Sequence, residues 1–240
     1  MAFNPKLSYS IFFFLLFTNC IVLKSNGQIG FPYCETFDGG STQSSTVFGG
    51  SAVLNSGVLR LTSNQNDQSG YVYIDIPFSS TFGIKASFEY FCYGGSGADG
   101  LTAFLFDAGI QNFAPGGFGG SLGYARRANE PGLTGAYLGI GFDTFGNFGN
   151  NTESKIGGFP GMENARHPDA IVIRGPGMGF SGYQFIAGRK TNEGGVFGLP
   201  ANQRFSLSSG GQGTNRVEDP QTLGYRKVFL NLEPDPFLSG

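Results

Sequence analysis

Three short segments carry the residue types that could do chemistry. The first is Ala98-Asp99-Gly100-Leu101-Thr102-Ala103-Phe104. The second is Gly119-Gly120-Ser121-Leu122-Gly123-Tyr124, and the third is Gly139-Ile140-Gly141-Phe142-Asp143-Thr144-Phe145-Gly146-Asn147. An aspartate at the mouth of a strand, beside glycine, can accept hydrogens from two hydroxyl groups. A glycine loop lets a backbone N–H come close to a ligand, because no Cβ intervenes. An aromatic ring offers a flat apolar face to a pyranose ring, and asparagine supplies both a donor and an acceptor. Asp143, the Phe145 carbonyl and Asn147 alternate at i, i+2 and i+4. That spacing offers three oxygens to one hard cation such as Ca2+. The same residues also read as turn glycines and turn-capping Asp and Asn with no ligand at all. Both readings stand on the residues alone.

Other chemistries find less support. The chain has one histidine, His167, before Pro168, and no G-x-S-x-G elbow accompanies it. It is read as an ordinary loop residue. A glycosidase needs two carboxylates across a cleft, and no tight pair lies on one predicted strand. A pair assembled from distant segments stays open. Gly95-Ser96-Gly97-Ala98-Asp99-Gly100 and Gly177-Met178-Gly179-Phe180-Ser181-Gly182 both match G-x-G-x-x-G. A dinucleotide loop must open a helix, and each of these runs into a strand-like stretch instead. No phosphate-loop lysine, C-x-x-C or H-E-x-x-H occurs.

The elements that must position these residues are strands. Over 82–93, Ile84, Ala86, Phe88, Tyr90 and Cys92 share one face, and Lys85, Ser87 and Glu89 share the other. Residues 58–61, 71–76, 101–106, 137–142, 170–173, 183–186 and 226–232 also predict strands. Gly, Asn, Ser and Pro clusters separate them. Two long loops, 109–130 and 145–168, hold much of the candidate chemistry, as long loops in domains often do. No helical spacing persists beyond about two turns. The pattern predicts an all-β fold of antiparallel strands in a sandwich or barrel.

Composition agrees with one large β domain. Glycine takes 41 of 240 positions, well above the usual ~7%, without a collagen period. Aromatics reach 15%, too many for a disordered chain. A formal net charge of -2 argues against nucleic acid as a partner. At the N-terminus, Lys6 precedes an apolar run at 11–23 and then Ser25-Asn26-Gly27. This predicts a secretory signal at 1–27, cleaved before Gln28, and a secreted or cell-surface protein. The run is short for a membrane span, and no span is expected in the mature chain. Export leaves Cys34 and Cys92, which either form a disulfide or stay as buried free thiols.

Taken in order, the three segments resemble the L-type, legume-lectin-like lectins, and above all their bacterial branch in exported surface and adhesion proteins. A D-G pair opens a strand there, with a cis peptide before the aspartate, which corresponds to Ala98–Asp99. A G-G-x-L-G loop matches 119–123, and an F-D-T-[YF]-x-N ending matches 142–147. The resemblance covers about residues 31–232. It implies a concanavalin-like jelly-roll β-sandwich over 28–240 that binds glycans or polysaccharide and is not an enzyme. It implies that Asp99, Gly120, Phe145 and Asn147 line the sugar site. It implies that Asp143, the Phe145 carbonyl and Asn147 hold calcium.

Departures from the family pattern qualify the metal site. Gly141 stands where plant members place a transition-metal Glu, and Ala170 where the family histidine would fall. A transition-metal site is therefore not expected. Thr152 replaces the second calcium carboxylate, leaving Asn151, Glu153 or Asp169 to substitute. Family members also continue with a G-[FL]-S-A-x-T-G-like segment that does not occur here. The expectation is a chain truncated at its C-terminus, or a piece of a longer multidomain adhesin. Two other functions fit the same sandwich: a glycoside hydrolase or lyase, and a structural surface module without a ligand.

Overall fold

The computed structural model describes residues 30–55, 57–93, 97–207 and 224–234. The expected signal segment and its cleavage point lie outside these residues. Contacts divide the chain between Tyr33 and Cys34. Before the division, the described stretch is short and holds a cis Phe31–Pro32 peptide. After it, the described elements are strands and short 3-10 turns, and the strand pairings are antiparallel. No helix among the described residues is long and apolar enough to cross a membrane.

Strands β1 (Thr46–Gly50) and β4 (Gly70–Ile74) pair in full register. Between them, β2 (Val53–Asn55) and β3 (Val58–Arg60) form a short hairpin. Strand β5 (Ile84–Phe91) pairs along its whole length with β12 (Tyr225–Leu232). The largest sheet has six strands. At its centre β7 (Ala136–Asp143) pairs with β6 (Gly100–Phe106) on one edge and β8 (Ala170–Arg174) on the other. Strand β8 pairs onward with β11 (Phe185–Lys190). The tiny strands β9 (Gly177–Met178) and β10 (Ser181–Gly182) join β7 at Ala136.

The expected all-β, antiparallel class is therefore observed. The expected run at 183–186 is displaced: its strand starts at Phe185, and Tyr183 instead takes a positive φ of 57°. Strands β1 and β2 were not expected, since TVFGG and VLN lack enough alternation. The second glycine motif forms the β9–β10 hairpin, which excludes a helix-opening phosphate loop.

Aromatic rings seated on strand glycines fill the core. A Cβ on Gly139 would lie 2.5 Å from the Tyr124 ring, and one on Gly141 2.3 Å from Phe148. Gly188 of β11 admits Phe159 in the same way, at 2.5 Å. A strand glycine here is space for a ring. A side chain at position 141 would therefore collide with the Phe148 ring. Tyr124 and Tyr183 are buried with their hydroxyls satisfied, donating to the Gly175 and Leu133 carbonyls at 2.9 Å. Phe88 and Tyr90 of β5 meet Phe142 of β7, with centroids 6.0 and 5.7 Å apart.

Candidate functional site

The site lies where β6 begins and β7 ends, since Gly100 is the register partner of Asp143. The Asp99 carbonyl accepts from the Thr144 amide at 3.0 Å, the Phe145 amide at 3.1 Å and the Thr144 hydroxyl at 2.8 Å. Three bonds to one carbonyl fix the first segment against the third. The Ala98–Asp99 peptide is cis, at the bond the resemblance points to. Gly100 has φ of 140°, and a Cβ there would meet the Phe142 carbonyl at 2.2 Å.

The glycine loop completes the approach. Its backbone folds on itself through Gly116 to Gly123, Gly123 to Gly117 and Leu122 to Gly119 amide–carbonyl bonds. A Cβ on Gly120 would lie 2.2 Å from Asn147 Nδ2, so only glycine lets the Asn147 carboxamide seat here. The Asn147 carboxamide lies by the Asp99 carboxylate and favours its charged form. Asn147 Oδ1 is buried and has no protein partner. Gly120 is buried, whereas half-buried Gly119 faces Asp99 Oδ2 and the Arg127 guanidinium. Asp99, Gly120 and Asn147 are thus brought together. Phe145 is beside them, but the Arg166 guanidinium lies 3.9 Å from its ring centroid. One face of the expected stacking ring is therefore taken.

Asp143 is fully buried. Its Oδ1 accepts from the Gly146 amide at 2.7 Å, and its Oδ2 from Phe148 and Gly149 amides at 2.7 and 3.3 Å. Burial pushes its carboxyl up to about 6, despite those three bonds. Its immediate structural work is to brace the turn that carries Asn147. Gly146, at φ of 100°, lets that turn pass the His167–Pro168 backbone.

The side chains that sequence reading passed over are cations. Lys155 is buried, its side chain 0% exposed, with Nζ 2.9 Å from Glu153 Oε2. Arg127 Nε holds Glu153 Oε1 at 3.1 Å, stacks over Phe118 and lies 3.7 Å from Glu130. Arg174, also fully buried, donates to the carbonyls of Phe148, Asn150, Ile156 and Tyr183 at 2.7–2.9 Å. It ties the 148–157 loop to the end of β8. Ala170, Val172 and Arg174 share the inward face of β8, so strict alternation already aimed Arg174 at the core. Nothing comparable marked Lys155.

Charge partners set the carboxyls apart. Burial, then the Glu153 charge, raises the Asp99 carboxyl against the Asn147 carboxamide and the Arg127 and Lys155 charges. For Glu153, burial pushes upward, but the bonds from Lys155 and Arg127 outweigh it and hold it low. Burial lowers the Lys155 ammonium, opposed by Glu153.

The other candidate ligands go elsewhere. Asp169 accepts from Ser206 and Leu207 at 2.9 and 2.7 Å. The Asn151 backbone N–H donates to the Glu163 carbonyl at 2.8 Å, a bond that leaves its side chain uncommitted. His167 is buried against Phe159 with Nε2 2.9 Å from the Met162 carbonyl, so it is a core residue within a loop. Cys34 and Cys92 are free thiols, the first exposed and the second half-buried, so neither the expected pairing nor full burial is seen.

Calcium takes six to eight oxygens, several of them carboxylate. Among Asp143, the Phe145 carbonyl, Asn147 and Asn151, the single carboxylate is already held by three amides. The Lys155 and Arg174 charges act on it as well. Asn147 Oδ1 is buried and lacks a protein partner. No group of three or more His, Cys, Asp or Glu that could hold a metal occurs among the described residues. The Asp143 carboxylate is thus engaged by amides and countercharges, while Asn147 Oδ1 is open to a further partner. No protein-family model and no curated protein matches the chain.

Proposed function

We propose that this chain is a carbohydrate-binding domain of the L-type lectin kind, a concanavalin-like jelly-roll sandwich that is exported and recognises glycans reversibly. One observation carries the reading: the Asp99 carbonyl clamp brings a carboxylate, a glycine loop and a carboxamide from three distant segments to one place. Asp99 accepts hydroxyl hydrogens, Asn147 orients it, and the glycine loop leaves room for the ring. Stacking would use the face of half-buried Phe145 that Arg166 does not cover. No step in this mechanism uses a metal. Affinity at one shallow polar site is weak, with Kd on the order of 0.1–1 mM, or roughly 4–5.5 kcal/mol. Several copies, or other domains of a longer adhesin, would supply avidity.

A glycan array probed with the chain and with Asp99→Ala tests this. Binding by the parent that the substitution abolishes supports the lectin reading. A folded parent that binds no glycan returns the domain to a structural surface module.

A second reading has one observation in its favour. Neighbouring Asp99 and Glu153 are shifted in opposite directions, as in an acid–base pair of a glycoside hydrolase. Against it, Arg127 and Lys155 occupy both Glu153 oxygens, leaving no base for water. Reducing-sugar release from a polysaccharide that binds would favour the hydrolase.

A further inference from the structure

We propose that the Lys155 ammonium is the built-in cation of this loop, and that the site is assembled without a divalent metal. The inference concerns the loop itself and goes beyond the glycan-binding reading.

The observations concern charge and position. Three carboxylates, Asp99, Asp143 and Glu153, converge on the turn that carries Asn147, and each acts on or bonds to Lys155. Three cations answer them: Lys155, Arg127 and Arg174. Glu130 at the rim adds a single negative charge. A divalent ion added to this set would leave a net positive charge in a region where Asp143, Lys155 and Arg174 have almost no contact with water. Buried charge is tolerated only when it is matched.

Position agrees with charge. The Lys155 side chain is wholly enclosed, which a lysine accepts only with a partner. Glu153, its partner, has φ of 56°, and Ser154 between them has φ of 67°. Two successive left-handed residues without glycine are uncommon. They turn the chain so that Glu153 and Lys155 meet at 2.9 Å. The Glu153 carbonyl also accepts from the Ala128 amide at 2.7 Å, joining this turn to the loop after 119–123. Lys155 thus bonds one carboxylate, Glu153, and its charge acts on Asp99 and Asp143, while Glu153 joins the two loops through Arg127 and the Ala128 amide. Its ammonium is a compact point charge with three donors, closer to an ion than a guanidinium would be.

The test uses the full chain and calcium itself as the probe, read by calorimetric titration and by thermal melting. The unsubstituted protein is expected to bind no calcium at millimolar concentration. Its Tm should move by less than about 1 °C between calcium and chelator. Lys155→Ala is expected to melt roughly 10 °C lower in chelator, as a broken buried ion pair should. Millimolar calcium should restore a good part of that loss, since the vacated volume then faces unmatched carboxylates. Lys155→Arg should stay indifferent to calcium. Saturable calcium binding by the unsubstituted chain with a rise in Tm overturns the proposal, and this arm needs no variant to fold. So does a folded Lys155→Ala that calcium leaves unmoved. If Lys155→Ala folds only when refolded with calcium, the proposal stands. If it folds under neither condition, the claim of a replaceable cation fails. None of these readouts involves sugar, so failure of the glycan-binding reading is recorded separately by the array.

Discussion

The β5–β12 ladder and the loops around Asp143 solve the same problem in different ways. In the ladder, eight consecutive register partners alternate, with Val228, Leu230 and Leu232 turned inward and Lys227, Phe229 and Asn231 outward. The backbone polar atoms that face the partner strand are satisfied by the pairing, and side chains need only be apolar on one face. In the 143–157 loop no ladder exists. Amides there go to the Asp143 carboxylate, and carbonyls go to the Arg174 guanidinium. One charged side chain replaces each missing neighbouring strand. A ladder degrades gradually, because each pair contributes little. A loop satisfied by two or three buried charges fails as a unit. That second arrangement suits a site, where geometry must hold without regular structure.

The sharpest way to break this contrast is Arg174→Met. It keeps an apolar stem and removes donors to five separate carbonyls. Buried acceptors left without partners, together with an unmatched Asp143, should cost about 3–5 kcal/mol. Chemical denaturation would measure it, and a loss below about 1 kcal/mol would show that water replaces the guanidinium. Next in size is Gly141→Ala. The new methyl would meet Phe148 Cδ1 at 2.3 Å, so the ring and its turn must shift. Overpacking of this kind costs about 1–3 kcal/mol. Glycan affinity should fall with stability, because Phe148 and Asn147 share one turn.

A third measurement uses pH. Burial raises the Asp143 carboxyl to about 6, above its unfolded value of 3.8. Between those values the native state holds more protons than the unfolded chain. The Asp143 contribution therefore lowers stability as pH rises through that window, by at most about 1.4 kcal/mol per pH unit. Carboxyl-carbon NMR should find its midpoint near 6. A midpoint at or below 3.8 would mean that the amides and the neighbouring cations outweigh burial.

Much of the ladder was legible in the sequence, and the loops were legible only in part. Alternation over 82–93 and 226–232 foretold β5 and β12, because period-two patterning records which face is buried. Even there Ala86 lies exposed on the face that was expected to turn inward. That Asp99, Gly120 and Asn147 stand at turns was legible from glycine and Asx residues, whereas their grouping at one place was expected only from the resemblance. Lys155 and Arg127 were not, since a charged residue in a polar loop looks like any solvated one. Their burial depends on contacts between loops 26 residues apart or more, such as Arg127 with Glu153. Gly141 was read as a lost ligand, and its space for Phe148 could be seen only in three dimensions. Phe145 was read as a free stacking ring because nothing in the sequence set Arg166 upon it.

The smallest effect belongs to the ladder, and it completes the contrast. Glu89 and Lys227 are register partners, and Lys227 Nζ lies 3.2 Å from Glu89 Oε1. Their side chains are 31% and 46% exposed, whereas that of Lys155 is wholly enclosed. Water screens the first pair, and holding two long side chains together costs entropy. A double-mutant cycle through Glu89→Ala and Lys227→Ala should give a coupling of about 0.2–1 kcal/mol. It should shrink further in about 1 M salt. The same cycle through Glu153 and Lys155 should give several times more and resist salt, because no solvent reaches Lys155 Nζ. Equal couplings in the two regions would mean that enclosure does not strengthen the loop pair. The loop would then be held by its Asp143 and Arg174 hydrogen bonds, and the ladder and the loop would differ in pattern but not in how strongly their charges act.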